Sequence, residues 1–300
     1  MTLVIMAAGM GSRFGGLKQL TTLTDDHEFI IDFTVYDAIR AGFDKIIFII
    51  KEENLTLFEE TIGARIRKSG ISVGYAFQKQ ELDGDYPVPG DRKKPWGTTH
   101  AVLSLGEMHE NFGILNADDF YGYDTLKKLH DFLETAKDTD IPQYCMIGYQ
   151  VEHTLSEHGA VCRGICRVND KGMLSFIEEN KRLERLDSGE IINTYPDGST
   201  AVIDPDCTVS MNCFGFTPSV LTHIKPLFEE FLERNRNDLS TCEFLISTTM
   251  EMLIARGKCN IKVIPTESLW KGVTYVQDAE PFRLFIREQK EKGNYPRSLW

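Results

Sequence analysis

Residues 3–18 read LVIMAAGMGSRFGGLK, and this stretch decides the fold of the chain. Leu3 to Met6 form a short, wholly apolar run, which is typical of a strand buried on both faces of a parallel sheet. The glycines that follow allow the backbone to approach a polyphosphate and to turn successive N–H groups toward it. Arg13 adds a forked cation and Lys18 a mobile one. The stretch therefore predicts a strand that leads into a triphosphate-binding loop.

Other phosphate-binding loops do not match these residues. The chain contains no Gly-Lys-Ser or Gly-Lys-Thr, which a Walker loop requires. A dinucleotide-binding fingerprint needs a third glycine at position 14, where the chain has Phe14. The remaining alternative is a glycine-rich turn that only connects two elements. Two cations within one short glycine loop argue against that alternative.

Apolar strand patterns and amphipathic helix patterns alternate through the first half of the chain. This alternation predicts an α/β fold, with three α/β/α layers around a mostly parallel, mixed central sheet. The predicted strands are 3–6, 46–50, 71–77 and 112–117, and the predicted helices are 30–41, 55–68, 98–109 and 124–137. The second half is less regular, with strands near 144–150, 160–168, 173–178, 208–216 and 260–264, a β-rich excursion at 181–207, and helices near 219–235, 241–256 and 278–292.

Polar residues follow the predicted strands at the edge where open α/β sheets bind their ligands. Asp118 and Asp119 come directly after the fourth strand, and a carboxylate there can hold Mg²⁺ against an α-phosphate. The alternative is that both are solvated acids at the start of the next helix. Gln78 follows the third strand and can donate to and accept from a pyrimidine edge. The proline- and glycine-rich segment 79–95 that comes next is predicted to be a functional loop or a plain surface loop.

The glycine loop resembles the signature of the sugar-1-phosphate nucleotidylyltransferases, in which a strand leads into Gly-x-Gly-Ser/Thr-Arg and a later lysine. The resemblance implies a GT-A-like fold, catalysis by Arg13, Lys18 and Asp118, and Mg²⁺ as cofactor, bound by Asp118. It also implies that Gln78 and the Gly97-Thr98 pair contact the base. The nucleotide-binding residues are then Ala7, Ala8, Gly9, Gly11, Ser12, Arg13, Gln78, Gly97 and Thr98.

The second half resembles the acceptor-binding half of the same family. Residues 157–161 are similar to its Tyr-Gly-Val segment, residues 176–181 to its Glu-Glu-Lys-Pro motif, and residues 211–215 to its Asn-x-Gly-Ile-Tyr strand. An asparagine intrudes in the second motif and its proline is absent, and exposed surface charges are the alternative interpretation there. The implied acceptor-binding residues are Gly159, Glu178, Glu179, Lys181 and Asn212.

The chain departs from the family at the second metal ligand. The family places an aspartate shortly after a tryptophan, whereas residues 269–275 here read LWKGVTY and contain no acid. Asp278 is the predicted substitute ligand, and Asp119 is the alternative. The shorter spacing between Arg13 and Lys18 is similar to that of the molybdenum-cofactor guanylyltransferases, which leaves the substrate class open. We expect one domain over residues 1–300, divided into a nucleotide-binding half at about 1–137, an acceptor-binding half at about 138–275 and a C-terminal helix at about 276–300.

Composition limits the partners. The 300 residues carry a formal net charge of −12, which disfavours nucleic acid as a partner. The seven cysteines include no Cys-x-x-Cys, and this favours reduced thiols in a cytoplasmic protein. No signal peptide and no apolar run of spanning length are predicted. The expected partners are a nucleoside triphosphate and a phosphorylated small molecule. The alternatives are transfer to phosphocholine or another phosphorylated acceptor, a glycosyltransferase, and a non-catalytic nucleotide-binding module; a homo-oligomer is compatible with the resemblance.

Overall fold

The computed structural model describes residues 1–9, 22–82, 86–272 and 276–300. Four strands of the first half form the parallel part of the central sheet, as the sequence predicts. They are β1 (Thr2–Met6), β2 (Lys45–Ile50), β3 (Ser72–Phe77) and β4 (Phe112–Asn116), in the spatial order β4-β1-β2-β3. Their carboxyl ends therefore lie at one edge of the sheet.

Helices cover both faces of these strands, because alternate strand residues are apolar on each face. Leu3 and Ile5 of β1 pack in the core beneath α1 (Ile30–Ala41), a helical segment α2 at 52–69 and α4 (Tyr123–Thr135). Val4 and Met6 point to the opposite core, beneath α3 (Thr98–Leu103), α5 (Ser219–Arg234) and α6 (Ile246–Ala255). The three-layer α/β/α fold predicted from the alternation is confirmed.

The second half extends the same sheet with antiparallel strands. β11 (Thr208–Phe216) pairs antiparallel with β4, so it joins the new strands to the parallel core. β6 (Gln143–Gln150), β7 (Val161–Val168) and β12 (Asn260–Pro265) complete this region. β5 (Asp119–Phe120) and β13 (Lys271–Gly272) form a separate short ladder beside the end of β4.

The predicted β-rich excursion is a set of antiparallel strands at the far edge of the sheet. β8 (Leu174–Arg185) is longer than the predicted 173–178, and it pairs with β7 and with β9 (Ile191–Thr194). β10 (Thr200–Ile203) closes the meander against β9. The C-terminal helix α7 (Ala279–Glu291) packs Phe282 and Ile286 in a third core with Phe33 of α1.

Two helices are shorter than their sequence patterns predict. α3 ends at Leu103 and not at 109. Just after Leu103, Ser104 Oγ donates to the His100 carbonyl and Gly106 adopts a positive φ of 68°. α6 begins at Ile246 and not at 241, because Phe244 is held in backbone hydrogen bonds to Trp96 and Thr99. Among the described helices, none is both long and apolar enough to span a bilayer.

Candidate functional site

A cavity of about 300 Å³ opens at the carboxyl ends of β1, β3 and β4. The parallel ladder continues past the strand ends, since the amide of Ala7 donates to Ile49 O at 2.8 Å and that of Ala117 to Met6 O at 3.1 Å. The cavity is lined by Met6, Ala8, Gly9, Gln78, Pro95, Gly97, Thr98, Ala101, Asn116, Asp118, Asn212, Glu243 and Leu245. Open α/β sheets bind ligands at this kind of edge.

The cavity brings together seven of the residues predicted from the sequence. They come from five separate segments of the chain: Ala8, Gly9, Gln78, Gly97, Thr98, Asp118 and Asn212. Ala7 is buried beside them and does not line the cavity. Four further predicted residues lie outside the described residues, and their roles stay predictions: Gly11, Ser12, Arg13 and Lys18.

Gln78 is fixed in place at the end of β3. Its side chain is 8% exposed, and its Nε2 donates to Gly97 O at 3.0 Å and lies 3.3 Å from His100 Nδ1. The amide of Ile246 in turn donates to Thr98 Oγ1 at 2.8 Å. These bonds connect β3, the start of α3 and the start of α6, so the wall predicted to contact the base is a rigid one.

Gly97 has a structural role that the sequence analysis did not identify. A Cβ at this position would lie 2.4 Å from Phe244 O, and the residue adopts a positive φ of 101°. The resemblance implied only that Gly97 contacts the base. The structure shows that it also allows two backbone segments to touch behind the cavity.

The two adjacent aspartates after β4 have different environments. Asp118 is half-buried and lines the cavity. Asp119 is 7% exposed, and its Oδ2 accepts a hydrogen bond from Asn116 Nδ2 at 2.9 Å. Gly272 of β13 pairs with Asp119, and a Cβ on Gly272 would lie 2.9 Å from Asp119 Oδ1. Only Asp118 of the pair therefore faces the cavity.

Asn212 reaches the cavity because β11 is distorted at this point. The register between β11 and β6 shifts between Ser210 and Phe214, and Asn212 has a positive φ of 58°. Asparagine is one of the few side chains that tolerate this region, and such strained residues cluster at functional sites. Its Nδ2 donates to Asn116 Oδ1 at 3.4 Å. The bulge thus directs Asn212 toward Asn116 at the end of β4.

The predicted Glu-Glu-Lys motif lies on β8 and does not line the 300 Å³ cavity. Glu178 and Lys181 are exposed, and Glu179 accepts hydrogen bonds from Ser247 Oγ at 2.5 Å and from Cys162 Sγ at 3.4 Å. Burial, reinforced by Glu179, raises the pKa of the Cys162 thiol to about 11, while Lys181 acts in the opposite direction. Glu179 and Lys181 of β8 therefore both influence the pKa of Cys162, which lies on the neighbouring strand β7.

The asparagine that interrupts this motif is a buried structural residue. Asn180 Oδ1 accepts a hydrogen bond from Asn193 Nδ2 at 2.7 Å, and its own Nδ2 donates to Glu178 O at 2.9 Å. Both asparagines are buried between β8 and β9. The departure from the family motif is therefore explained by the pairing of β8 with the meander.

A second cavity, of about 490 Å³, contains Asp278. Glu157 and His158 of the predicted acceptor segment line it together with Trp270 and Lys271. Ser156 Oγ donates to Asp278 Oδ1 at 2.9 Å, and Ser156 is bridged to Gly159. The structure thus places Asp278 and Asp118 in different cavities, and the role of Asp278 as a metal ligand stays a prediction.

The donor set of the first cavity fits Mg²⁺. Two carboxylates line it, those of Asp118 and Glu243, together with the carboxamides of Asn116 and Asn212. Glu243 is paired with Lys94, whose Nζ lies 2.9 Å from its Oε2, whereas Asp118 follows the carboxyl end of β4. Magnesium prefers hard oxygen ligands and is often held by one or two carboxylates together with substrate phosphates and water. Asp118 is therefore the residue that would hold the ion.

Sequence reasoning missed Asn116, Pro95, Glu243 and Leu245. Asn116 lies two residues before Asp118, and its position at the end of the predicted strand 112–117 was a usable signal. Glu243 and Leu245 lie in a segment predicted to be helical, which gave no signal of a cavity wall. Their neighbours Phe244 and Ile246 hold this segment against the start of α3 through tertiary hydrogen bonds.

Comparison with known proteins agrees with the fold. The family described as Nucleotidyl transferase matches residues 2–278. The inositol-1-phosphate CTP transferase of T. maritima is similar in structure, with a TM-score of 0.61, 13% identity, and coverage of 97% of this chain and 96% of that one. A putative glucose-1-phosphate thymidylyltransferase from Bacillus anthracis, in complex with a sucrose, has a TM-score of 0.62 and 14% identity, with 96% of each chain covered. A search of curated proteins found no match.

Proposed function

Because the chain belongs to the nucleotidyl transferase family, which it matches over residues 2–278, we propose that it transfers a nucleoside monophosphate from a nucleoside triphosphate to a sugar 1-phosphate. Pyrophosphate is the second product. The two similar structures carry names that refer to inositol 1-phosphate and glucose 1-phosphate, and both names denote transfer to a phosphorylated polyol or sugar.

The observation that supports this proposal is the convergence of Gly9, Gln78, Thr98, Asp118 and Asn212 around one cavity. Five different segments of the chain supply these residues, and each was predicted from the sequence to face a nucleotide, its metal ion or the acceptor. A solvated surface would not gather them at one sheet edge, where ligands of open α/β folds bind.

The proposed chemistry is a single displacement at the α-phosphorus. An oxygen of the acceptor phosphate forms a bond to the α-phosphorus, the bond from that phosphorus to the bridging oxygen breaks, and pyrophosphate leaves with the electron pair. No covalent enzyme intermediate is needed. Positioning and neutralisation of charge lower the barrier.

Most of the predicted residues have a part in this reaction. The glycine-loop amides and Arg13 hold the β- and γ-phosphates, and Lys18 stabilises the charge that develops as pyrophosphate leaves. Gln78, Gly97 and Thr98 hold the base. Mg²⁺ held by Asp118 would neutralise charge on the triphosphate. On the acceptor side, Lys181 binds the phosphate, and Asn212 and one of the two acids Glu178 and Glu179 bind hydroxyl groups.

Pyrophosphate release tests the proposal. Each nucleoside triphosphate is combined in turn with a panel of sugar 1-phosphates, inositol 1-phosphate and phosphocholine, with Mg²⁺ and then with a chelator. We expect release with at least one pair, abolished by the chelator and restored by added Mg²⁺. Pyrophosphate release with phosphocholine alone would show that the acceptor is phosphocholine and not a sugar 1-phosphate. Binding of a triphosphate without release from any pair would favour a non-catalytic module.

A further inference from the structure

A line of three polar side chains connects the buried Asp119 to the cavity. Asn116 Nδ2 donates to Asp119 Oδ2 at 2.9 Å, and Asn212 Nδ2 donates to Asn116 Oδ1 at 3.4 Å. Asn116 and Asn212 line the cavity, whereas Asp119 does not. The carboxylate therefore lies behind two carboxamides that face the ligand space.

The carboxylate determines the direction of both hydrogen bonds. The Oδ2 of Asp119 accepts, so the branch of Asn116 that faces it is the NH₂ group. The Oδ1 of Asn116 then faces Asn212, and Asn212 donates its own NH₂ group to that oxygen. This arrangement leaves the Oδ1 of Asn212 as the acceptor available to a ligand in the cavity.

Tyr121 does not compete for this role. Burial, together with the Asp119 carboxylate, raises the pKa of Tyr121 well above its usual value, so the hydroxyl keeps its proton. That hydroxyl lies 2.8 Å from Met211 O and 3.3 Å from Asp119 Oδ2, and it accepts a hydrogen bond from the amide of Asn116 at 3.0 Å. Its single proton is best placed for the Met211 carbonyl, which leaves Asn116 as the closer donor to Asp119.

The position of Asp119 is also supported. Thr34 Oγ1 of α1 donates to its backbone carbonyl at 3.2 Å, and β13 pairs with it on the other side. Arg163 is 7% exposed and lies 4.5 Å from the centre of the Trp270 ring. Burial lowers the pKa of Arg163, and the Asp119 carboxylate is the largest influence in the opposite direction. The Asp119 carboxylate therefore favours the charged form of the Arg163 guanidinium.

We propose that Asp119 is a positioning residue that orients the amides of Asn116 and Asn212, so that Asn212 offers its carbonyl oxygen to a hydroxyl group of the acceptor. This inference rests on the proposed function for the identity of the ligand. It assigns to Asp119 a role other than that of a metal ligand, and it makes Asn116 part of the acceptor recognition. The acceptor class it selects is one that carries a hydroxyl donor.

Kinetics test the role of the amides in recognition. Asp119→Asn replaces the accepting carboxylate with an amide. Asn116→Leu breaks the connection and keeps Asp119 itself, so it serves if the first variant fails to fold. For the panel acceptor that is turned over, we expect both variants to raise the acceptor KM about tenfold and to leave the KM for the triphosphate within about twofold. Equal changes in both KM values would overturn the proposal.

Monodeoxy analogues of the same acceptor identify the hydroxyl. For the wild-type protein, kcat/KM should be about tenfold lower with the analogue that lacks the hydroxyl bound by Asn212 than with the parent acceptor. The Asn116→Leu substitution should lower kcat/KM much less when it is measured with that analogue than when it is measured with the parent acceptor. Undiminished discrimination in Asn116→Leu would contradict the role assigned to the two amides.

A spectroscopic readout separates this inference from the proposed function, because it needs no turnover. The side-chain amide resonances of Asn116 and Asn212 can be assigned by their loss in Asn116→Leu and Asn212→Gly. We expect Asp119→Asn to shift both pairs of resonances, and Asp131→Asn, which changes an exposed acid on α4, to shift neither. If the Asn212 pair stays in place in Asp119→Asn, the inference is wrong even for an active transferase. If both pairs shift and no pyrophosphate is released, the proposed function fails and the amide orientation stands.

Discussion

At the residue scale, Gly97 joins the cavity wall to the protein behind it. Its backbone contacts the Phe244 peptide, and its carbonyl accepts the hydrogen bond from Gln78 Nε2. A side chain at this position would push the start of α3 away from the start of α6. The rigidity of the wall predicted to bind the base therefore depends on one missing Cβ.

Gly97→Ala should lower the free energy of unfolding by about 3 kcal/mol, because it combines a backbone clash with a positive φ. Gly257→Ala is the matched control, since Gly257 also has a positive φ, of 64°, and nothing lies within 4 Å of its Cβ position. The control should cost about 1 kcal/mol. Chemical denaturation of both variants measures the difference, and equal losses would contradict the close packing at Gly97.

Asp118 is the acid expected to coordinate the metal ion. Asp118→Asn should lower kcat/KM for pyrophosphate release by about a hundredfold or more, because it removes charge from the ligand that holds Mg²⁺. Asp131→Asn on α4 is the control and should leave the rate unchanged. A fully active Asp118→Asn variant would require another residue to hold the ion.

At the element scale, α1 is attached to the C-terminal tail through a buried acid. Tyr295 donates to Asp37 Oδ2 at 2.6 Å, and Arg40 lies 3.3 Å from Oδ1. Burial raises the pKa of Asp37 to about 6, which outweighs the opposing effects of Tyr295 and Arg40. The folded protein therefore holds this proton at pH values where the unfolded chain has released it.

This contact predicts a pH dependence of stability with a definite sign. Between about pH 4 and pH 6 the folded state binds more protons at Asp37, so the free energy of unfolding falls as the pH rises through this window and levels off above it. The full effect is about 3 kcal/mol, at ~1.4 kcal/mol for each unit of difference in pKa. Denaturation of the wild type and of Asp37→Asn at pH 4 and pH 7 measures it. The stability of the wild type relative to the variant should be lower at pH 7, and a constant difference would contradict the raised pKa.

The sequence pattern located most helices and strands but missed ends that depend on distant residues. α1 has the predicted bounds, because Asp32 accepts the Phe29 amide at its start and Gly42 ends it with a positive φ. Those signals are local. The late start of α6 and the length of β8 are not local: the first follows from contact with Trp96 and Thr99, and the second from pairing with β7 and β9. Periodicity carries no information about such contacts.

At the scale of the whole molecule, one sheet carries both halves of the predicted enzyme. β11 pairs with β4 of the parallel core and with β6 and β7 of the second half. This strand pairing places Asn212 at the same cavity as Asp118. The sequence could predict which residues follow strands, because parallel strands share a carboxyl edge. It could not predict the Asn116–Asp119 connection or the separation of Asp278 from Asp118, since both depend on the short β5–β13 ladder and on side-chain packing.

The most direct test of the central claim follows the α-phosphate of a labelled nucleoside triphosphate through one turnover with the sugar 1-phosphate found active. A nucleotidyltransferase should move the α-label into a nucleoside diphosphate sugar and the γ-label into pyrophosphate, in equal amounts. Appearance of the α-label in free nucleoside monophosphate, with the sugar 1-phosphate unchanged, would show hydrolysis and contradict the transfer proposed here.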